Sequence, residues 1–211
     1  MRKHFANKAI SMMFHHRVVA VSLLILCSVV SFGALSRAAG PTEQVRATVD
    51  KVFGMVKNPN LKLPAQKKDL QARLAEIIYP RFDFAEMAKR SLGPHWGRRT
   101  PEEQREFVKL FAELLGRSYA GRIESYASQN VAYTREVEDK NYAEVDTTIV
   151  SDKREKVSIN DKLHSVDKEW RVYDLVIEDI SIINNYRSQF NRVIARSSFE
   201  ELVRMLKEKQ S

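Results

Sequence analysis

Residues 131–177 read VAYTREVEDKNYAEVDTTIVSDKREKVSINDKLHSVDKEWRVYDLVI. Apolar and polar residues alternate along this stretch and β-branched residues are dense, the pattern of strands buried on one face. Four strands emerge. Val131, Tyr133, Arg135 and Val137 mark the first, and Ala143, Val145, Thr147 and Ile149 the second. The third runs from Val157 and Ile159 to Val166, the fourth from Trp170 and Val172 to Ile177. Between them lie Asp139-Lys140-Asn141, Asp152-Lys153-Arg154 and Asp167-Lys168-Glu169. Polar turns this short join neighbouring antiparallel strands, so the expectation is a meander.

On both sides the apolar period changes to that of a helix. Val45, Val49, Val52, Phe53 and Val56 give a helix over 42–56 that Asn58-Pro59-Asn60 ends. Leu70, Leu74, Ile77 and Ile78 give another over 65–78, stopped by Pro80, and 83–90 reads as a short helix before the break at Gly93-Pro94. Thr100-Pro101-Glu102-Glu103 combines a cap, a proline at the first helical position and a capping-box glutamate. It opens the longest helix, 101–127. Downstream, Ile182–Ile194 is helical, and Ser198-Phe199-Glu200-Glu201 opens a last helix through about Lys207. The expected order is helices over 42–127, strands over 131–178 and helices over 182–209. This grouping is that of an α+β domain with helices over one face of an antiparallel sheet of four strands or slightly more.

The chain has 211 residues, one Cys and five His, and 35 Lys+Arg against 27 Asp+Glu, a net of +8. Such basicity would suggest nucleic acid or an anionic membrane, but its distribution argues otherwise. Residues 1–38 hold Arg2, Lys3, Lys8, Arg17 and Arg37, no acid, an apolar run from Val18 to Leu35 and a small-residue exit at Ser36-Arg37-Ala38. That order is a cleaved secretory signal peptide, with 39–211 as the mature domain. The competing reading is an uncleaved anchor, since the run approaches bilayer length. The small-residue exit favours cleavage. Cys27 follows Leu26 rather than a small residue, so it belongs to the apolar run and not to a lipidation site. Without the leader 30 basic residues face 27 acidic ones, a net of +3. The remaining 173 residues contain no Cys. An exported domain of this length without a disulfide relies on its core.

The mature segment is poor in catalytic chemistry. Its two histidines, His95 and His164, are far apart in sequence, and no zinc or calcium spacing is present. No Gly-rich phosphate loop exists, and basic residues are interspersed with acids, which argues against nucleic acid. Asp174, Glu178 and Asp179 cluster at the end of the fourth strand. They suit capping or pairing with Arg187, or a general base if buried. The unusual feature is the apolar series Phe82, Phe84, Met87, Trp96, Phe107, Phe111, Tyr119, Tyr126 and Tyr133, which is either core or pocket wall.

Two blocks carry a resemblance. The first is Tyr79-Pro80-Arg81-Phe82-Asp83-Phe84, then Leu92-Gly93-Pro94-His95-Trp96 and Thr100–Phe107. The second is Trp170–Glu178, Ile180-Ser181-Ile182 and Asn185–Phe190. Together they resemble the phospholipid-binding component of the Mla lipid transport pathway, the toluene-tolerance or ABC-transporter auxiliary family. Asp179 departs from the pattern, standing where the family usually has a Gly that would permit positive φ.

The resemblance implies a curved sheet covered by helices, a nuclear-transport-factor-like cone with an extra helical part, enclosing an apolar lipid pocket. It implies a periplasmic carrier that is monomeric, uses no cofactor or metal and has no catalytic residues. Its exchange partners would be an inner-membrane ABC transporter with an MCE-domain protein and an outer-membrane lipoprotein complex, and its role the upkeep of outer-membrane lipid asymmetry. About thirty methylenes in two tails represent about 24 kcal/mol of transfer free energy at ~0.8 kcal/mol each, so unassisted escape into water is very slow. By position, Phe82, Phe84, Met87 and Trp96 are candidates for the entrance, and Phe107, Phe111, Leu114 and Leu115 for the long helix's inner face. Val145, Ile149, Val172 and Val176 are the sheet's candidates, and Ile183, Tyr186 and Phe190 the closing helix's. Arg81 and Arg187 are candidates for the head-group phosphate. The alternatives are a small cone-fold enzyme using Asp174 or Glu178 on an apolar substrate, a carrier of another apolar lipid such as a hopanoid, and a chaperone-like partner with a solid interior.

Overall fold

Local sequence signals and the folded chain agree at the start of the longest helix. In the computed structural model, which describes residues 39–58, 67–126, 130–150 and 156–208, Thr100 and Glu103 close the expected capping box. Glu103 N donates to Thr100 Oγ1 at 3.2 Å and Thr100 N to Glu103 Oε2 at 2.7 Å. Ser198 accepts from Glu201 N at 3.2 Å, but the Glu201 carboxylate turns to Arg204 instead of completing a second box. The expected leader, 1–38, lies outside the described residues.

Among the described residues there are six helices: α1 Pro41–Val56, α2 Lys67–Ile78, α3 Phe84–Leu92, α4 Pro101–Tyr126, α5 Ile182–Arg196 and α6 Phe199–Glu208. Short 3-10 turns at Tyr79–Arg81 and Gly93–Arg98, not expected from periodicity, link α2 to α3 and α3 to α4. The strands are β1 Asn130–Asp139, β2 Tyr142–Val150, β3 Lys156–Val166, β4 Glu169–Ile177 and a short β5 Ile180–Ser181. They form one antiparallel meander in the order β1-β2-β3-β4-β5. The tight turns are dipeptides rather than the longer stretches expected: Lys140-Asn141, Asp167-Lys168 and Glu178-Asp179. Asp167, Lys168, Glu178 and Asp179 all have positive φ, from 48 to 67°, as turns matched to strand twist require. Asp179 thus adopts at φ 63° the left-handed conformation that a Gly would take without strain.

Two bulges break the simple alternation. Thr134 has no counterpart on β2, since Tyr133 faces Thr147 and Arg135 faces Asp146. Val131 and Tyr133 therefore share a face with Glu136, while Val137 is exposed. On β4, Val172 faces Leu163 and Asp174 faces Lys162, leaving Tyr173 as the extra residue. The concave face passes from Trp170 and Val172 to Leu175 and Ile177. An extra residue shifts the pleat by one.

Among the described residues three apolar clusters hold the fold. The largest lies among α3, α4, α5 and α6, and includes Met87, Leu92, Phe107, Phe111, Leu114, Phe190, Leu202 and Leu206. Val52, Val56, Leu70 and Leu74 join α1 to α2. Ala143, Val145, Leu163, Trp170 and Val172 form the sheet's concave patch.

Candidate functional site

The three clusters leave a gap between them, although Phe82 and Leu175 pack against both the large cluster and the sheet patch. A cavity of about 500 Å³ lies between them, within the roughly 300–1,000 Å³ of small-ligand sites. α1 contributes Val45, Val49, Val52 and Phe53, and α2 contributes Leu74, Ala75 and Ile78. Ile149, Ile159, Leu163, Val172, Leu175 and Ile177 form the sheet wall. Leu115, Gly116, Met87 and Ile182 come from the edge of the large cluster. Phe82 stacks on Phe84 with centroids 5.8 Å apart, and Tyr79 meets Phe84 edge-on at 5.0 Å.

Local hydrogen bonds set this wall in place. The chain at Phe82 bridges to Val172, and Asp83 N donates to Val172 O at 2.9 Å. Asp83 then caps α3 by accepting from Glu86 N at 2.8 Å. Gln44 Oε1 on α1 accepts from both Trp170 N and Arg81 Nη1 at 3.1 Å. Thr42 N donates to Glu136 Oε2 at 2.8 Å, and Arg46 lies 4.3 Å over the Tyr133 ring. The N-terminal part of α1 is thereby fixed to the sheet, while its C-terminal half packs on α2.

Polar groups are few in the lining. Gln71, Tyr79 and Arg117 are exposed, so the cavity reaches solvent between α2 and α4. Burial, with Glu113 nearby, raises the Tyr79 phenol above its ordinary range. Deeper in the cavity is Asp161 on β3, between Ile159 and Leu163 and opposite Val145. The residue lines the cavity and keeps part of its surface. Burial first and then the charge of Asp146 push its carboxyl up from 3.8 to about 7. The Asp161 position was visible in the alternation Val157, Ile159, Asp161, Leu163, yet sequence reasoning passed over it.

The structure divides the expected site residues. Phe82, Phe84, Met87, Leu115, Ile149, Val172 and Arg81 line the cavity. Phe107, Phe111, Tyr186 and Phe190 instead interlock as a solid aromatic core, with centroids 5.3 to 5.9 Å apart. Leu114, Ile183 and Trp96 belong to the same cluster. Val145 is fully buried in the sheet patch, and the bulge at Tyr173 puts Leu175 and Ile177 in the lining in place of Val176. Arg187 is not at the cavity; it packs over Gly93, where a Cβ would meet its guanidinium at 2.8–3.1 Å. The walls from α1 and α2 were missed. Their stripes were legible, but nothing in them names a partner.

The acids of the enzyme alternative are committed elsewhere. Asp174 accepts from Ser181 Oγ at 2.7 Å and Ile183 N at 3.1 Å, which holds the start of α5. Glu178 accepts from Ser158 N and Ser158 Oγ. Neither lines the cavity. Among the described residues no three His, Cys, Asp or Glu are grouped to hold a metal, and no helix is long and apolar enough to cross a membrane.

Comparison with known proteins is consistent across the chain. Residues 46–208 match the family described as MlaC protein. The intermembrane phospholipid transport system binding protein MlaC of Haemophilus influenzae is 20% identical over 176 residues, covering 81% of this chain and 82% of that protein. The toluene tolerance protein ttg2D of Pseudomonas putida is 22% identical over 178 residues, covering 83% and 82%. A phospholipid-binding protein from Ralstonia solanacearum, solved in complex with a phospholipid, superposes with a TM-score of 0.72 at 30% identity, covering 81% of this chain and 96% of that one.

Proposed function

The chain belongs to the MlaC family, and on that premise we propose that it is a periplasmic phospholipid carrier. The observation that carries this reading is the cavity of about 500 Å³ with apolar walls from α1, α2, α4 and the sheet. A slot walled by hydrocarbon receives acyl tails at little net cost, because it replaces the apolar surroundings they leave in a bilayer. The relative solved with a phospholipid supports the same cargo.

In this proposal the leader 1–38 directs export and 39–211 acts as one monomeric lipid-binding domain. Tails enter the cavity and the head group stays at the solvent edge marked by Gln71, Tyr79 and Arg117. Arg81 and Arg117 are the cationic lining residues available to a phosphate, although Arg81 already engages Gln44 and lies 3.7 Å from Glu169. The carrier exchanges lipid with an inner-membrane ABC transporter bearing an MCE-domain protein and with an outer-membrane lipoprotein complex, sustaining outer-membrane lipid asymmetry. Such a task needs no catalytic group.

Mass spectrometry of organic extracts from the purified mature protein tests this. Phospholipid should co-purify, and delipidated protein should take it up from vesicles. Absence of both sinks the reading.

A further inference from the structure

Asp161 is out of place in a cavity meant for hydrocarbon alone. It stands on the concave face of β3, opposite Val145 of β2 and Leu175 of β4. Among the described residues no hydrogen bond or ion pair reaches its carboxyl. A second polar group nearby is also unmatched: the Tyr133 hydroxyl is buried with no partner, and Asp161 acts on it electrostatically. Thr147 lies between them, opposite Tyr133 on one side and Ile159 on the other, with its hydroxyl spent on Ile159 O at 3.3 Å. Buried polar groups are normally hydrogen-bonded, and one left unmatched is costly. A plain acyl chain filling the cavity offers the Asp161 carboxyl nothing.

We propose that Asp161 forms a polar subsite for a hydroxyl carried on the apolar part of the cargo, so that the carrier favours hydroxylated over plain chains. The inference rests on the lipid-carrier reading. A hydroxyl suits the site because it donates to a carboxylate and both donates to and accepts from a neutral acid. An ammonium suits it less, since bringing a charge into this apolar cavity costs its hydration. Tyr133, outside the lining, stands nearby with Arg46 and Asp50 of α1 around it. Tyr79, Arg81, Glu113, Arg117 and Tyr119 are the other ionisable lining residues among those described.

The test uses delipidated mature protein and matched fatty acids: stearate against stearates hydroxylated at carbon 3, 9 or 12. Each competes with a fluorescent fatty acid at pH 6 and pH 8. At one hydroxyl position the wild type should bind the hydroxylated chain about tenfold tighter than stearate, the size of one charge-assisted hydrogen bond. The ratio should widen at pH 8, where ionised Asp161 rejects plain chain but accepts from the hydroxyl. Asp161→Val should abolish the preference and bind stearate more tightly. Asp161→Asn should keep part of the preference and lose its pH dependence. Tight but equal binding at every position, or a preference that survives in Asp161→Val, overturns the inference and leaves the carrier reading standing. Failure of the wild type to bind any of these chains, or phospholipid, overturns both.

Discussion

Replacing Asp161 with Asn removes one titrating group and little volume, so its effect on stability can be worked out with its sign. The carboxyl has an ordinary value of 3.8 and about 7 in the folded chain. Below the lower value both states hold the proton and the group contributes nothing. Between the two, the unfolded chain ionises while the folded one does not, so stability falls as pH rises. Above about 7 both are ionised and the loss levels off. At ~1.36 kcal/mol per pH unit, the gap amounts to about 4 kcal/mol. Asn has no such term. The stability of Asp161→Asn minus that of the wild type should therefore climb by about 4 kcal/mol between pH 4 and pH 8, and other titrations cancel in the difference. Urea unfolding of delipidated protein, followed by circular dichroism at several pH values, measures it. A difference that stays flat within 1 kcal/mol would show that water reaches the carboxyl, and the argument from its burial would fail.

Other substitutions separate core from cavity. Phe111→Ala, in the interlocked aromatic core, should cost about 3–5 kcal/mol in chemical unfolding. Ala75→Trp, on the cavity wall, should leave the circular dichroism spectrum intact and sharply reduce co-purified lipid. Asp174→Ala removes a buried acceptor of two hydrogen bonds at the start of α5 and should cost roughly 2–3 kcal/mol. Lipid content normalised to folded protein should not change. Asp179→Gly relieves a residue held at φ 63° and should stabilise by about 1 kcal/mol, read as a raised urea midpoint.

Helix and strand placement was legible because burial imposes a period on the sequence, as in Val45, Val49 and Val52 or in Ala143, Val145, Thr147 and Ile149. The bulges at Thr134 and Tyr173 were not. An extra residue shifts the phase without changing composition, and only pairing with the neighbouring strand shows it. That is why Val176 reads as facing inward while Leu175 and Ile177 line the cavity. The split between core and pocket was illegible for a different reason. Phe107 and Phe82 offer the same chemistry, and only the packing of elements distant in sequence buries one in a solid cluster and leaves the other on an open wall.

The clasp at Gln44 has a mechanical consequence. One side-chain oxygen ties the start of α1 to β4 and to Arg81, just past the end of α2. The outer ends of the α1–α2 pair are thus held at β4, and their other ends share a small cluster of their own. A single side-chain oxygen couples three elements, so that its loss would loosen α1 from β4 and from Arg81 together, while the strand ladder and the aromatic core keep their own contacts.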